Sequence, residues 1–313
     1  MNMAIKNPDI YEFDSGNPGK EILLLGAIHG YEVCGTEAIR SFMDKLTSGE
    51  IKLEEGKITC IPVCNPEAYK QGKEFIDRNL NRMMRQRDPA DIKFYEDELA
   101  NFLCPYMERA DVLLDIHSYT TKGGPFVFLG ATNGAEFDYA NALGVKHMVY
   151  GFADAYSNAD PRPDTVKKDP DEALKRDPSY STGTTEYSRK FGTLALTLEG
   201  GQHTDPHAIR VALNAIERAC AHFGNIKAAV ESNAAEKIYL KVIKPVWKEG
   251  PGKLSEEFEN FAKITQGQIL AEYEDGRQIL SEVDGYMVMP RSTADKGMEW
   301  FYYAVPQNPN TPN

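Results

Sequence analysis

Through the first two-thirds of the chain, short apolar runs alternate with segments of helical periodicity, and this pattern leaves few folds open. EILLLGAIH (21–29) is continuously apolar over the length of a strand, as a strand buried on both faces must be. TEAIRSFMDKL (36–46) follows, with apolar residues at helical spacing and Thr36 as its candidate cap. KITCIPVCNP (57–66) is a second strand ended by Asn-Pro, and DIKFYEDELANFLCPYM (91–107) is a helix. ADVLLDIHS (110–118), GPFVFLG (124–130) and TLALTLEGG (193–201) are strands. DPHAIRVALNAIERACAHF (205–223) is a helix with Asp205 as N-cap and Pro206 in the first turn. Such alternation predicts an α/β fold with a mainly parallel or mixed sheet and helices on both faces.

The texture changes near residue 237. YLKVIKPVW, GQILAEYEDG, QILSEVDGYMVMP and MEWFYYAVP are short β-like runs broken by Gly and Asp-Gly turns. The chain therefore divides into an α/β domain at 1–235 and a small all-β domain at 236–313, with its strands at about 236–307. Residues 154–190 are rich in Asp, Pro, Arg, Ser and Thr and show little periodicity, the mark of a functional or disordered stretch. The tail QNPNTPN is expected to fray.

The 313 residues carry a net charge of −12, which repels phosphate backbones and speaks against nucleic acid as a partner. No stretch approaches the roughly 20 apolar residues of a membrane span. The start MNMAIKNPDIYEF lacks the apolar run of a secretory signal. Five scattered cysteines (Cys34, Cys60, Cys64, Cys104, Cys220) form no CxxC pair and no disulfide framework, so a reducing cytoplasm is expected. Cys60 and Cys64, four apart on an apparent strand, read as small apolar fillers of one face. A homo-oligomer remains open.

The ends of the apolar strands carry the chemistry. EILLLGAI runs into His29, with Glu32 just beyond; ADVLLDI runs into His117; TLALTL runs into Glu199; CIPVC runs into Asn65. In open α/β sheets the ligand crevice lies outside the carboxyl ends of the strands, so four strands deliver polar groups to one edge. Two imidazoles and a carboxylate are a recurrent catalytic zinc set. A histidine at a strand end can equally satisfy a buried carbonyl, and it is the joint placement that favours ligation. Asp115 shares a strand face with His117 and either orients that imidazole or caps a turn. Glu199, at the end of an apolar strand, is partly desolvated, which moves its pKa toward that of a useful base. His203 and His207 are rival ligands, read as outer or surface groups; His147 and His222 read as helix-face residues. GGP (123–125) and EGG (199–201) lack any phosphate-cradling pattern.

Together GAIHGYEVCG (26–35), NP (65–66), NLNR (79–82), DIHS (115–118) and TLEGGQH (197–203) resemble the succinylglutamate desuccinylase/aspartoacylase family, relatives of the zinc carboxypeptidases. The resemblance spans about 26–203, and a small C-terminal β domain beside the active site also fits it. It implies one Zn2+ held by His29, Glu32 and His117, with Glu199 as general acid/base. It implies substrate binding by Asn81 and Arg82 of the LNR element, by Arg189, ten residues before Glu199, and by a C-terminal tyrosine, Tyr302 or Tyr303. Two positions depart from the family. Glu74 stands where an arginine usually polarises the scissile carbonyl, leaving Lys73 and Arg78 as neighbouring cations, with Arg78 the catalytic candidate. Asn79 replaces the usual Asp before LNR.

The expectation is a zinc-dependent hydrolase of a small N-acyl amino acid or similar amide, its substrate bearing a carboxylate. A metallocarboxypeptidase acting on peptides and a non-catalytic binding protein of the same fold are the alternatives.

Overall fold

In the computed structural model the described residues are 7–157, 182–227 and 236–307. Their strands are β1 (Tyr11–Asp14), β2 (Glu21–Gly26), β3 (Lys57–Ile61), β4 (Val112–Tyr119), β5 (Phe126–Phe128), β6 (His147–Tyr150), β7 (Leu194–Gln202), β8 (Ile238–Trp247), β9 (Gly252–Leu254), β10 (Ala262–Ile264), β11 (Ile269–Tyr273), β12 (Gln278–Leu280), β13 (Gly285–Val288) and β14 (Glu299–Pro306). The helices are α1 (Val33–Ser48), α2 (Pro66–Gln71), α3 (Tyr95–Arg109), α4 (Gly134–Ala142), α5 (Phe152–Ser157), α6 (Thr184–Arg189) and α7 (His207–His222). A 3₁₀ turn at Leu80–Arg82 lies between α2 and α3.

Among the described residues, eleven strands share one sheet in the order β1-β3-β2-β4-β7-β5-β6-β8-β14-β13-β10. Its centre, β3-β2-β4-β7, is parallel, as strand–helix alternation requires. β5 turns antiparallel to β7, and β6 and β8 follow it in parallel. Antiparallel pairing of β8, β14, β13 and β10 then extends the same sheet into the C-terminal region. β9, β11 and β12 form a separate three-stranded sheet. The fold is a mixed α/β structure with a C-terminal antiparallel β region.

Burial alternates residue by residue along β2. Ile22 and Leu24 join one apolar cluster with α1, α4 and α7; Leu23 and Leu25 join another with α3. Both faces are covered, which is why these strands read as unbroken apolar runs. A third cluster around Trp300, Phe301 and Tyr303 is the C-terminal region's own core.

Several local expectations are corrected. α1 begins at Val33 with Glu32 as N-cap, and the Thr36 hydroxyl inside it donates to the Pro62 carbonyl at 2.7 Å. Pro206, not Asp205, is the N-cap of α7; Asp205 instead accepts the His207 N–H at 2.8 Å. His147 lies on β6 rather than on a helix. Cys60 and Cys64 belong to opposite apolar clusters, because β3 ends at Ile61 before Cys64 is reached. Of the aperiodic stretch, α5 and α6 are helical at its two ends, while 158–181 lies outside the described residues, as does the tail from 308.

Candidate metal centre

The turn after β2 is held in a form that few sequences favour. Ala27 sits at φ 46°, in the left-handed region, where a side chain costs about 1–3 kcal/mol. Two backbone bonds from the end of β3 fix it: Cys64 N–H donates to the Gly26 carbonyl at 2.9 Å, and Asn65 N–H to that of Ala27 at 3.0 Å. Gly30 is required by packing, since a Cβ there would lie 2.1 Å from the Ala68 carbonyl carbon. The turn thus presents His29 and places Glu32 at the N-terminus of α1, where the helix dipole favours a carboxylate. On the neighbouring strands His117 and Glu199 are register partners, so their side chains leave the same face.

His29, Glu32 and His117 come together, their ligand atoms all within 4.8 Å of one another. His29 Nδ1 lies 2.8 Å from Glu32 Oε1, and His117 Nδ1 lies 2.9 Å from Glu32 Oε2. The outer nitrogens are also engaged: His29 Nε2 with Asn79 Oδ1 at 3.1 Å, His117 Nε2 with Asp115 Oδ2 at 2.8 Å. Ser118 N–H donates to Glu32 Oε2 at 3.0 Å. Each Nδ1–H donates to Glu32; a cation taking that place would bind the deprotonated Nδ1 atoms, with the Nε2 sides held by Asn79 and Asp115 as outer partners hold metal-binding histidines. Two imidazoles and a carboxylate, backed by two further buried carboxylates in Asp115 and Glu199, fit a divalent cation.

Electrostatics separate the roles of the carboxylates. Burial alone would raise Glu32, but His29 and His117 hold it far below the ordinary carboxylate range. Burial would lower His117, but Asp115 and Glu32 hold it well above the usual histidine value. Glu199 goes the other way: burial pushes it up to about 8, Glu32 and Asp115 add to the shift, and His117 and Arg82 oppose it. Its Oε2 is buried with no hydrogen-bond partner among the described residues. One carboxylate is therefore suited to hold a cation and the other to exchange a proton.

The other sequence candidates divide. Arg82 donates to the Asn81 carbonyl at 2.9 Å and keeps solvent access, yet enough protein surrounds it that burial works against its charge. Tyr156, Glu299, Tyr302 and Glu74 nevertheless hold it above its ordinary value. Tyr302 reaches the same place from β14, its hydroxyl 2.6 Å from that of Tyr156. Tyr303 does not, since it donates to the Leu280 carbonyl. Asn81 accepts the Thr184 N–H at 3.0 Å. Asn65 caps α2 and bonds Glu96. Arg78 stacks on Phe94 at 3.5 Å and pairs with Asp97 of α3 at 3.4 Å. Arg189 is not brought to the centre: it pairs with Glu136 at 2.8 Å and donates to the Ala195 carbonyl, near the start of β7, the end opposite Glu199. The helix α6 accounts for this, because it runs down the sheet and carries Arg189 away. His203 stands on Ser118 Oγ at 2.8 Å, outside the His29–Glu32–His117 cluster, and His207 is exposed beside Arg210. Glu74 accepts from Asn79 Nδ2 at 3.1 Å. Nothing in sequence marked Thr184 and Tyr156, because they lie within the aperiodic stretch 154–190, where no pattern marks a contact.

The sequence model of the succinylglutamate desuccinylase/aspartoacylase catalytic domain matches residues 18–223, more than half of the chain. A probable aspartoacylase of Prochlorococcus marinus subsp. pastoris is 29% identical over 129 residues, 40% of this chain and 42% of that protein. A succinylglutamate desuccinylase of Pseudomonas paraeruginosa is 33% identical over 69 residues, 22% and 20% of the two chains. The matches thus span less than half the length of these curated relatives. The fold is shared with succinylglutamate desuccinylase/aspartoacylase from Rhodobacter sphaeroides (TM-score 0.74, 18% identity, 96% of this chain and 89% of that one). It is also shared with the product-bound ectoine utilization protein EutE (DoeB) of Ruegeria pomeroyi (TM-score 0.72, 20% identity, 95% and 88%). The chain belongs to the succinylglutamate desuccinylase/aspartoacylase family.

Proposed function

We propose that the protein is a zinc-dependent hydrolase that cleaves the amide bond of a small N-acyl amino acid, with one Zn2+ per chain on His29, Glu32 and His117. The observation that carries this reading is Glu199: a buried carboxyl raised to about 8, in register with His117 and beside a donor set fit for a cation. Zinc, when bound there, supplies Lewis acidity that polarises a carbonyl and acidifies water. Glu199 takes the proton of the attacking water at its carboxylate and returns it to the leaving amine. Arg82 and Asn81 bind the substrate carboxylate, for which a guanidinium fork is suited. Tyr302 orients the amide from the opposite wall.

The C-terminal region supports a small substrate over a peptide. Tyr302 meets Tyr156 of α5, and the Thr121 hydroxyl, four residues past His117, donates to the Pro290 carbonyl. These contacts pack the β region beside the site, which favours a small substrate over a peptide.

The test is hydrolysis of a panel of N-acetyl and N-succinyl amino acids by the zinc-loaded protein and by Glu199→Gln. The wild type is expected to release acid and amine, and the variant to keep its zinc while losing about 10²–10⁴ in rate. A zinc-loaded Glu199→Gln protein that hydrolyses at the wild-type rate would overturn the mechanism.

A further inference from the structure

The two imidazoles are joined by a second route besides Glu32. His29 Nε2 contacts Asn79 Oδ1 at 3.1 Å, and the same oxygen accepts the Asn81 N–H at 2.9 Å. The Asn81 side-chain carbonyl accepts the Thr184 N–H at 3.0 Å. The Thr184 hydroxyl donates to Asp115 Oδ2, which meets His117 Nε2 at 2.8 Å. Glu32 closes the circle by touching both Nδ1 atoms. A continuous hydrogen-bonded ring therefore runs through the ligand set and through Asn81.

Thr184 is the member of this ring that comes from α6 and bonds in two directions at once. It is fully buried. Its backbone is clipped in place, since Met84 N–H donates to the Thr182 carbonyl at 2.9 Å. The residue before it is Gly183, where a Cβ would lie 2.5 Å from Asn81 Oδ1, so the close approach depends on its absence. Asp115 is buried, and its Oδ1 has no hydrogen-bond partner among the described residues. Oδ2 is held from two sides, by His117 Nε2 and by the Thr184 hydroxyl, and the hydroxyl is what ties this carboxylate to α6.

We propose that Thr184 is a positioning residue that sets the His117 imidazole through Asp115 with its hydroxyl and holds the Asn81 side-chain amide with its backbone N–H, so that one residue couples metal binding to the substrate-binding turn. The inference rests on the metal reading above. An outer partner of this kind typically contributes a factor of about 10–10² in metal affinity. Valine has nearly the shape of threonine but replaces the donating hydroxyl with a methyl; serine keeps the donor.

The experiment is Zn2+ affinity, measured by competition with a chelating dye, for wild type, Thr184→Val and Thr184→Ser, each checked for native circular dichroism without metal. Thr184→Val is expected to bind zinc about 10–10²-fold more weakly, and Thr184→Ser to keep wild-type affinity. If Thr184→Val does not fold, Thr184→Ala takes its place with the same expectation. Wild-type affinity in the hydroxyl-less variant overturns the proposal. So does a serine variant as weak as the valine one, because the loss then follows shape and not the donor. A wild-type protein that binds no zinc fails the metal reading itself, a result distinct from either of these.

Discussion

Glu199 is stable in the fold as an acid and useful in the reaction as a base. Its pKa, pushed up to about 8 by burial and by Glu32, means that the folded chain holds the proton more tightly than the unfolded one. Its favourable contribution is complete below the ordinary carboxyl value and is lost as pH rises through about 8. In chelator-treated protein, Glu199→Gln is therefore expected to raise the melting temperature, by a margin that grows from about pH 5 to about pH 8 and then levels. A margin that is constant with pH contradicts the raised pKa. Arg82 makes a different demand. Arg82→Ala is expected to raise KM about 10–10²-fold for substrates with a free carboxylate and to leave their carboxamide counterparts nearly unchanged, read by steady-state kinetics. At this scale the clustering of His29, Glu32 and His117 near Glu199 was legible because His29, His117 and Glu199 end apolar runs and Glu32 follows His29 closely. Arg189 was not: spacing from Glu199 says nothing about where a short helix turns its side chain, and the Glu136 carboxylate and the Ala195 carbonyl hold it at the far end of β7.

Elements bring these residues together by close approach, and glycine marks where. The His29 turn touches α2 at Gly30, whose absent Cβ leaves room for the Ala68 backbone. Gly30→Ala is expected to destabilise the fold by about 1–3 kcal/mol in denaturant unfolding, because a backbone must move. It should also weaken zinc binding, since His29 precedes it. An alanine variant as stable as wild type would show that the turn has slack. The central strands were readable because burial on both faces makes their apolar runs continuous. The helix caps were not, since Thr36 and Pro62 meet only in three dimensions. α4, β6, α5 and α6 carry weak or no periodicity, and only tertiary contacts define them. The reading of Cys60 and Cys64 as sharing a face failed for a simple reason: alternation ends where the strand ends.

For the whole molecule, the sheet is the organising fact. Pairing of β6 with β8 carries one sheet from the parallel centre into the antiparallel C-terminal strands, so Tyr302 on β14 and His117 on β4 are held by a common framework. The switch in texture near residue 237 was visible in sequence, but not that the strands on either side of it would join, because sequence patterns show faces and not edges. No described helix is long and apolar enough to cross a membrane. The central claim, that the cluster at the strand ends is a zinc centre that hydrolyses amides, meets its most direct test in His117→Ala. Metal content and N-acyl amino acid hydrolysis are measured on the same samples of wild type and variant. The account predicts about one equivalent of zinc in the wild type, with metal and hydrolysis lost together in the variant. Hydrolysis at the wild-type rate in a zinc-free His117→Ala protein would contradict it.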